Sequence, residues 1–412
     1  MMIDTATDRL ADADRWLALE DAVTLPTYAK PPVALVRGEG TRVWDAEGRA
    51  YLDFYGGHCV ALLGHCPPRV VEAIRQQAGR LLFYSNAVYS PVRAEAAQAL
   101  AALAPDGLGR VFWCNSGTEA NETALKLARS FTGRGRVVAF ESGFHGRTLG
   151  ALAVTHGDGY HAPYRDALPA TTWLPFGDPS AGSGRAADAV GAELAGEDVA
   201  AVILEPMQSM AGVTEAAPDF YRALRQRCDE TGTVLIFDEV QTGVGRTGAF
   251  TYGDHVGVTP DLVTLAKSLG SGVPVGAVLV SDAVAATVKS GDQGTTFGGG
   301  MLACAAVHAT LDQLVGDGLM TRAIEVFDRL ADGLGETDGV TEVRGRGCLI
   351  GVSLDRPAKP VAAALRQSGV LVGTANRADT LRLMPPLTTT DAEIDDFLAR
   401  LTGVLAAAPA AR

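Results

Sequence analysis

The chain has 412 residues, more than one simple core accommodates, so two domains are expected. Hydrophobic residues make up 47% and charged residues 20%, which excludes a disordered chain. A formal net charge of −13, from 35 Lys+Arg against 48 Asp+Glu with no basic run, argues against a nucleic-acid partner.

The six cysteines, at 59, 66, 114, 228, 304 and 348, form no C-x-x-C pair, so neither a zinc site nor a redox motif is expected. Residues 1–20 carry four aspartates and no apolar run, which reads as a polar arm or helix and not as a signal peptide. The longest apolar stretches, such as Val273 to Val280, are too short to span a bilayer. A soluble, cytoplasmic protein with reduced thiols and no membrane contact is the expectation.

In chain order, Thr41–Trp44 and Tyr51–Phe54 predict two strands around the turn Asp45-Ala46-Glu47-Gly48. Pro91–Leu103 is Ala-rich and predicts a helix. Short apolar runs come next, at Val111–Cys114, Val137–Phe140, Val199–Leu204, Val234–Phe237, Leu262–Ala266 and Val275–Val280. Helical segments at 119–129, 186–194 and 219–230 lie between them, an alternation that predicts an α/β fold with a mostly parallel sheet covered on both faces. Beyond residue 306 the expected order is helix 319–335, strand 349–354, helix 360–367, strand 381–384 and helix 390–405, a smaller α+β unit. The domains are therefore drawn as an arm and part of the small domain at 1–60, a large domain at 61–305, and a small domain at 306–412. The tail from Ala406 is expected to fray.

Ligands of open α/β sheets bind beyond the carboxyl ends of the strands, so the residues just after each apolar run matter most. Asn115-Ser116-Gly117-Thr118 opens a helix after the run ending at Cys114, which suits either a phosphate or an ordinary N-cap. Asp238 ends a wholly apolar run and needs a cationic partner, either an arginine or the protonated ring nitrogen of a cofactor. Lys267, after Leu262–Ala266, is either a snorkelling surface lysine or an amine with a depressed pKa able to form an imine. In Phe144-His145-Gly146-Arg147-Thr148, Arg147 can clamp a carboxylate and Phe144 can stack on a flat ring; a surface ion pair and a core aromatic are the alternatives.

These motifs resemble the class III, ornithine/acetylornithine-type aminotransferases of pyridoxal-5′-phosphate (PLP) fold type I, from about Pro32 to Leu398. The resemblance is carried by Asn115–Ala120, Phe144–Thr148, Glu205-Pro206, the run from Asp238 to Gly248, Pro260-Asp261 through Lys267, Thr295–Gly299 and Leu381–Pro386. It implies a seven-stranded sheet, PLP as cofactor, and an obligate homodimer. It further implies that Lys267 is the imine lysine and the base for the proton shift, that Asp238 partners the pyridine nitrogen, and that Gln241 contacts the phenolic oxygen. Ser116, Gly117 and Thr118 match the phosphate cradle. Thr296 matches the residue reaching the neighbouring subunit's phosphate. Phe144 resembles the stacking ring, with His145 and Glu205 also beside the cofactor, and Arg147 the substrate α-carboxylate clamp. No metal is implied.

Two departures from the family pattern bear on the substrate. Relatives carry a Gly-Glu pair after Glu-Pro-x-Gln, whereas this chain has Gln208-Ser209-Met210-Ala211. In relatives that Glu masks an arginine matching Arg382; Met210 cannot, so Arg382 is expected either to receive a carboxylate in both half-reactions or to find another partner. The loop Tyr55-Gly56-Gly57-His58 stands where relatives contact substrate, so Tyr55 and His58 are candidate substrate residues, and its Gly-Gly pair resembles enzymes acting on lysine held by an amino-group carrier protein. The resemblance implies transfer of a terminal amine from an acetylornithine-like donor to 2-oxoglutarate. A carrier-linked lysine or ornithine donor, a PLP aminomutase, decarboxylase or racemase, and a non-catalytic binding protein are the alternatives.

Overall fold

The computed structural model describes residues 13–177 and 183–407. Of the N-terminal arm, Ala13–Val23 is a helix without a buried residue; the rest of the arm and the tail from 408 lie outside the described residues.

The largest sheet has seven strands: β1 (Arg110–Cys114), β2 (Arg136–Phe140), β3 (Thr171–Leu174), β4 (Val199–Leu204), β5 (Val234–Asp238), β6 (Leu262–Leu265) and β7 (Gly276–Val280). Their order across the sheet is β1-β7-β6-β5-β4-β2-β3. All run parallel except β7, which is antiparallel to both of its neighbours. Every residue of β4, β5, β6 and β7 is buried. That explains why these strands read as continuous apolar runs without alternation, each fully covered aliphatic side chain contributing roughly 1.5–3 kcal/mol.

The helices connecting these strands pack on the sheet faces. Gly117–Thr132 buries Ala120, Ala124, Leu127 and Ala128 together with the polar Asn121. Pro218–Thr231 starts with proline, where no intrahelical N–H is lost, and stops at Gly232 in the left-handed region. Met301–Gly316, unanticipated in the sequence, spans the position at which the large and small domains were divided.

A second sheet joins the chain's two ends: Leu35–Glu39, Arg42–Asp45 and Ala50–Asp53 pair in sequence, and Val370–Leu371 adds to the last. A third sheet comprises Val340–Arg346, Leu349–Leu354, Thr380–Leu383 and Gly373–Thr374. No described helix is long and apolar enough to cross a membrane, and no group of described His, Cys, Asp and Glu side chains could hold a metal ion.

Candidate active site

The carboxyl ends of β1, β5 and β6 open onto one cleft of about 560 Å³. It is lined among others by Ser116, Gly117, Thr118, Phe144, His145, Arg147, Glu205, Asp238, Gln241 and Lys267. Ten residues singled out from five separate stretches of sequence therefore meet in one place.

Asp238 is the last residue of β5 and is buried. Asn121 Nδ2 donates to its Oδ2 at 2.7 Å, and His145 Nδ1 donates to the same oxygen at 2.7 Å. Val240 N–H and the Thr264 hydroxyl reach Oδ1 at 3.1 and 3.4 Å. Thr264 also donates to Asn121 Oδ1 at 2.8 Å, which fixes the amide's orientation. A buried carboxylate thus gains the donors its desolvation requires, and of the side chains among them only His145 had been singled out as a site residue from the sequence. Asn121 and Thr264 were missed. The available signal was a polar residue on the apolar stripe of a helix and another inside a wholly apolar strand.

The segment Gly143–Gly146 is bent around Thr155, whose hydroxyl accepts from the N–H groups of His145 and Gly146 at 2.8 and 3.1 Å. Gly146 has φ +137°, and a Cβ there would lie 2.1 Å from the Thr118 hydroxyl oxygen, so only glycine brings this loop against the helix start. Glu205 accepts from Phe144 N–H at 2.8 Å, and burial pushes its carboxyl up to about 7. Arg147 is exposed, with its guanidinium carbon 4.9 Å from the centre of the Tyr160 ring.

Lys267 comes directly after β6 and Ala266, with φ +40°, a strained position for a side-chain-bearing residue that costs of order 1–3 kcal/mol. Its amine makes no hydrogen bond or ion pair with any described residue. Desolvation in the cleft holds its pKa below the ordinary lysine value.

The cleft fits PLP. Helix Gly117–Thr132, 16 residues long, offers the free N–H groups of its first turn to a phosphate, with Ser116 as N-cap. Asp238 can face a ring nitrogen, and Phe144 offers an aromatic face. Two buried polar atoms of residues lining the same cleft, His145 Nε2 and Gln241 Oε1, have no partner among the described residues, as expected where a polar ligand completes the site.

Of the anticipated substrate residues, Arg382, Tyr55, His58 and Met210 do not line this cleft. Arg382 is 2% exposed; its Nε donates to the Thr374 carbonyl at 2.8 Å and Nη1 to the Ser209 hydroxyl at 3.0 Å. It has therefore found a partner other than Met210, which is half-buried and bonds Asn376 N–H only through its carbonyl. Tyr55 reaches Arg382 Nη2 at 3.4 Å and hydrogen-bonds His58 Nδ1. Desolvation, then the charges of Lys267 and Arg382, push the His58 imidazole down to about 4. Thr296 is exposed and does not line this chain's cleft.

Glu239 is also buried; its Oε2 accepts from Tyr252 N–H at 2.6 Å and the Thr242 hydroxyl at 3.2 Å, and Oε1 has no partner. Burial pushes its carboxyl from 4.5 up to about 8. The folded chain therefore binds a proton that the unfolded chain has released, so stability falls as pH rises between those values. Glu239→Gln is expected to flatten the fall in thermal midpoint from pH 5 to 8. Parallel melting curves for both proteins across that range would contradict this.

Residues 25–405 match the family model for class-III aminotransferases. The chain is 46% identical over 393 residues to the acetylornithine aminotransferase of Methanopyrus kandleri, covering 94% of this chain and 98% of that protein. It is 43% identical over 398 residues to that of Streptomyces coelicolor, covering 95% and 94%. Among solved structures, the ornithine aminotransferase of Toxoplasma gondii superposes with a TM-score of 0.90 at 31% identity, over 99% of this chain and 98% of that one. The acetylornithine aminotransferase of Elizabethkingia anophelis gives 0.82 at 30% identity, over 96% and 99%. With the strand order, the cleft and these relatives in agreement, the chain belongs to the class III aminotransferases, PLP-dependent enzymes of fold type I.

Proposed function

We propose that this enzyme transfers the terminal amino group of N-acetylornithine, or a close analogue, to 2-oxoglutarate. The observation that carries the reading is Lys267: an amine without a hydrogen-bond or ion-pair partner among the described residues, depressed in pKa by desolvation, in the same cleft as Asp238 and the guanidinium of Arg147. Bound PLP supplies an electron sink for the bond-breaking at the substrate carbon.

The protein's residues do the remainder. Lys267 would hold the cofactor covalently through Nζ, and the same amine, when free, would carry the proton from and back to the substrate carbon. Asp238 would keep the ring nitrogen protonated, and His145 and Asn121 hold that carboxylate in place. Ser116, Gly117 and Thr118 would anchor the phosphate, Phe144 would cover the ring, and Gln241, whose Oε1 has no partner among the described residues, would meet the phenolic oxygen. Arg147 takes the α-carboxylate of the donor, and Arg382 a carboxylate of glutamate or 2-oxoglutarate.

A free donor is preferred over a carrier-linked one because the relatives of high identity are acetylornithine aminotransferases. A homodimer is supported by the exposed Leu82, Phe83, Tyr84 and Phe297, with the Phe83 and Phe297 rings 5.0 Å apart; in it the neighbouring exposed Thr296 would serve a partner's phosphate cradle. A cytoplasmic setting suits the free thiols. Titration of the PLP-loaded protein tests the reaction. Glutamate is expected to bleach the visible absorbance and 2-oxoglutarate to restore it, with N-acetylornithine bleaching it more effectively than lysine or GABA. A band untouched by glutamate would move the reading to a mutase, decarboxylase or racemase.

A further inference from the structure

Arg382 is buried, and every acceptor it has among the described residues is neutral: the Thr374 carbonyl, the Ser209 hydroxyl and the Tyr55 phenol. No described carboxylate pairs with it. A desolvated guanidinium whose charge is unmatched has strong affinity for any anion that can reach it. Its weakest contact is the one to Tyr55, at 3.4 Å, which leaves the Nη2 N–H groups under-used.

The position of Tyr55 is built from several sides. Asp53, buried, accepts from the N–H groups of Tyr55, Gly56 and Gly57 at 3.0, 3.0 and 2.9 Å. That carboxylate holds a turn in which Gly56, Gly57, His58 and Cys59 all have φ between 56° and 69°. For His58 and Cys59 this backbone is unfavourable, and it persists because the surroundings impose it. The ring itself lies in a slot left by Gly373, which pairs with Arg382 across the third sheet. A Cβ on Gly373 would sit 2.3 Å from Tyr55 Cε2. Gly373 does not have positive φ, so the ring, and not the backbone, requires glycine there. The ring centre is 5.8 Å from the Arg382 guanidinium carbon, and the hydroxyl is tied to His58 Nδ1.

We propose that Tyr55 is a positioning residue for dicarboxylate recognition: lodged against Gly373 and oriented by His58, it holds Arg382 ready and then offers its O–H to the carboxylate that takes over Nη2. This rests on the reading of Arg382 given above. It makes recognition of the second carboxylate depend on a neutral phenol–imidazole pair and not on a competing acidic side chain.

Glutarate, a dicarboxylate with no reactive group, is the probe, with its Kd for the PLP-loaded dimer measured by calorimetry. Tyr55→Phe keeps the ring and removes the hydroxyl. It is expected to weaken glutarate by about tenfold, the worth of one hydrogen bond to a charged group, and to raise KM for 2-oxoglutarate by more than it lowers kcat. Gly373→Ala, by crowding the ring, should weaken glutarate in the same direction, with its melting midpoint reporting that the fold survives. If Arg382→Ala loses glutarate binding while Tyr55→Phe binds as the wild type does, the role of Tyr55 is overturned and that of Arg382 stands. If Arg382→Ala also binds normally, both fall.

Discussion

Replacing Lys267 by alanine is expected to lower transamination by at least about 10⁴-fold, because it removes both the covalent anchor and the base that moves the proton. The fold should not suffer. The lysine amine makes no hydrogen bond or ion pair with described residues and is held in a desolvating cleft, so its removal is expected to leave stability within about 1 kcal/mol of the wild type. Borohydride treatment of the loaded wild type should leave the cofactor's mass on the peptide containing Lys267, and on no peptide of the variant. Retained turnover in Lys267→Ala, or labelling at a different lysine, would refute the assignment.

Asp238 behaves differently, since chemistry and packing share the same oxygens. Asp238→Asn preserves shape but removes the negative charge and turns an NH₂ group toward donors that now lack an acceptor, either His145 and Asn121 or the Val240 N–H. Activity is expected to fall about 10²–10³-fold, the magnitude of losing one preorganised electrostatic partner of the reacting group. Asp238→Ala strands Asn121, His145 and the Val240 N–H together, and a loss of about 3–5 kcal/mol in unfolding free energy is expected. Half-reaction rates and denaturant melts separate these effects. An Asp238→Asn enzyme within tenfold of wild type would show that no ring nitrogen depends on this carboxylate.

The strands at 199–204 and 349–354 and the helix at 91–103 have the boundaries expected from the sequence. They were legible because each is apolar throughout or ends at a proline or polar punctuation mark. Other elements were not. Thr171–Leu174 lies at the sheet edge with no residue fully buried, so it lacks the apolar run of its neighbours. Val340–Arg346 carries Glu342, Arg344 and Arg346 on a half-buried strand and gives little periodic signal. Met301–Gly316 is nearly apolar all round, which erases the amphipathic pattern by which helices are recognised.

Within the site, Gln241 and the roles of its neighbours came from the resemblance of the motifs to a known family, whereas Lys267, Asp238, Arg147 and the Ser116–Thr118 turn were candidates because they come at or soon after the ends of apolar strands. That property is local, and one dimension suffices to show it. Which groups satisfy Asp238, where the lost partner of Arg382 was replaced, and why residue 373 is glycine were decided by the tertiary structure. Asn121 lies 117 residues from Asp238, and Ser209 lies 173 from Arg382. Such pairings arise from sheet order and close packing, which bring distant side chains within hydrogen-bond reach and leave no trace in the spacing of the chain.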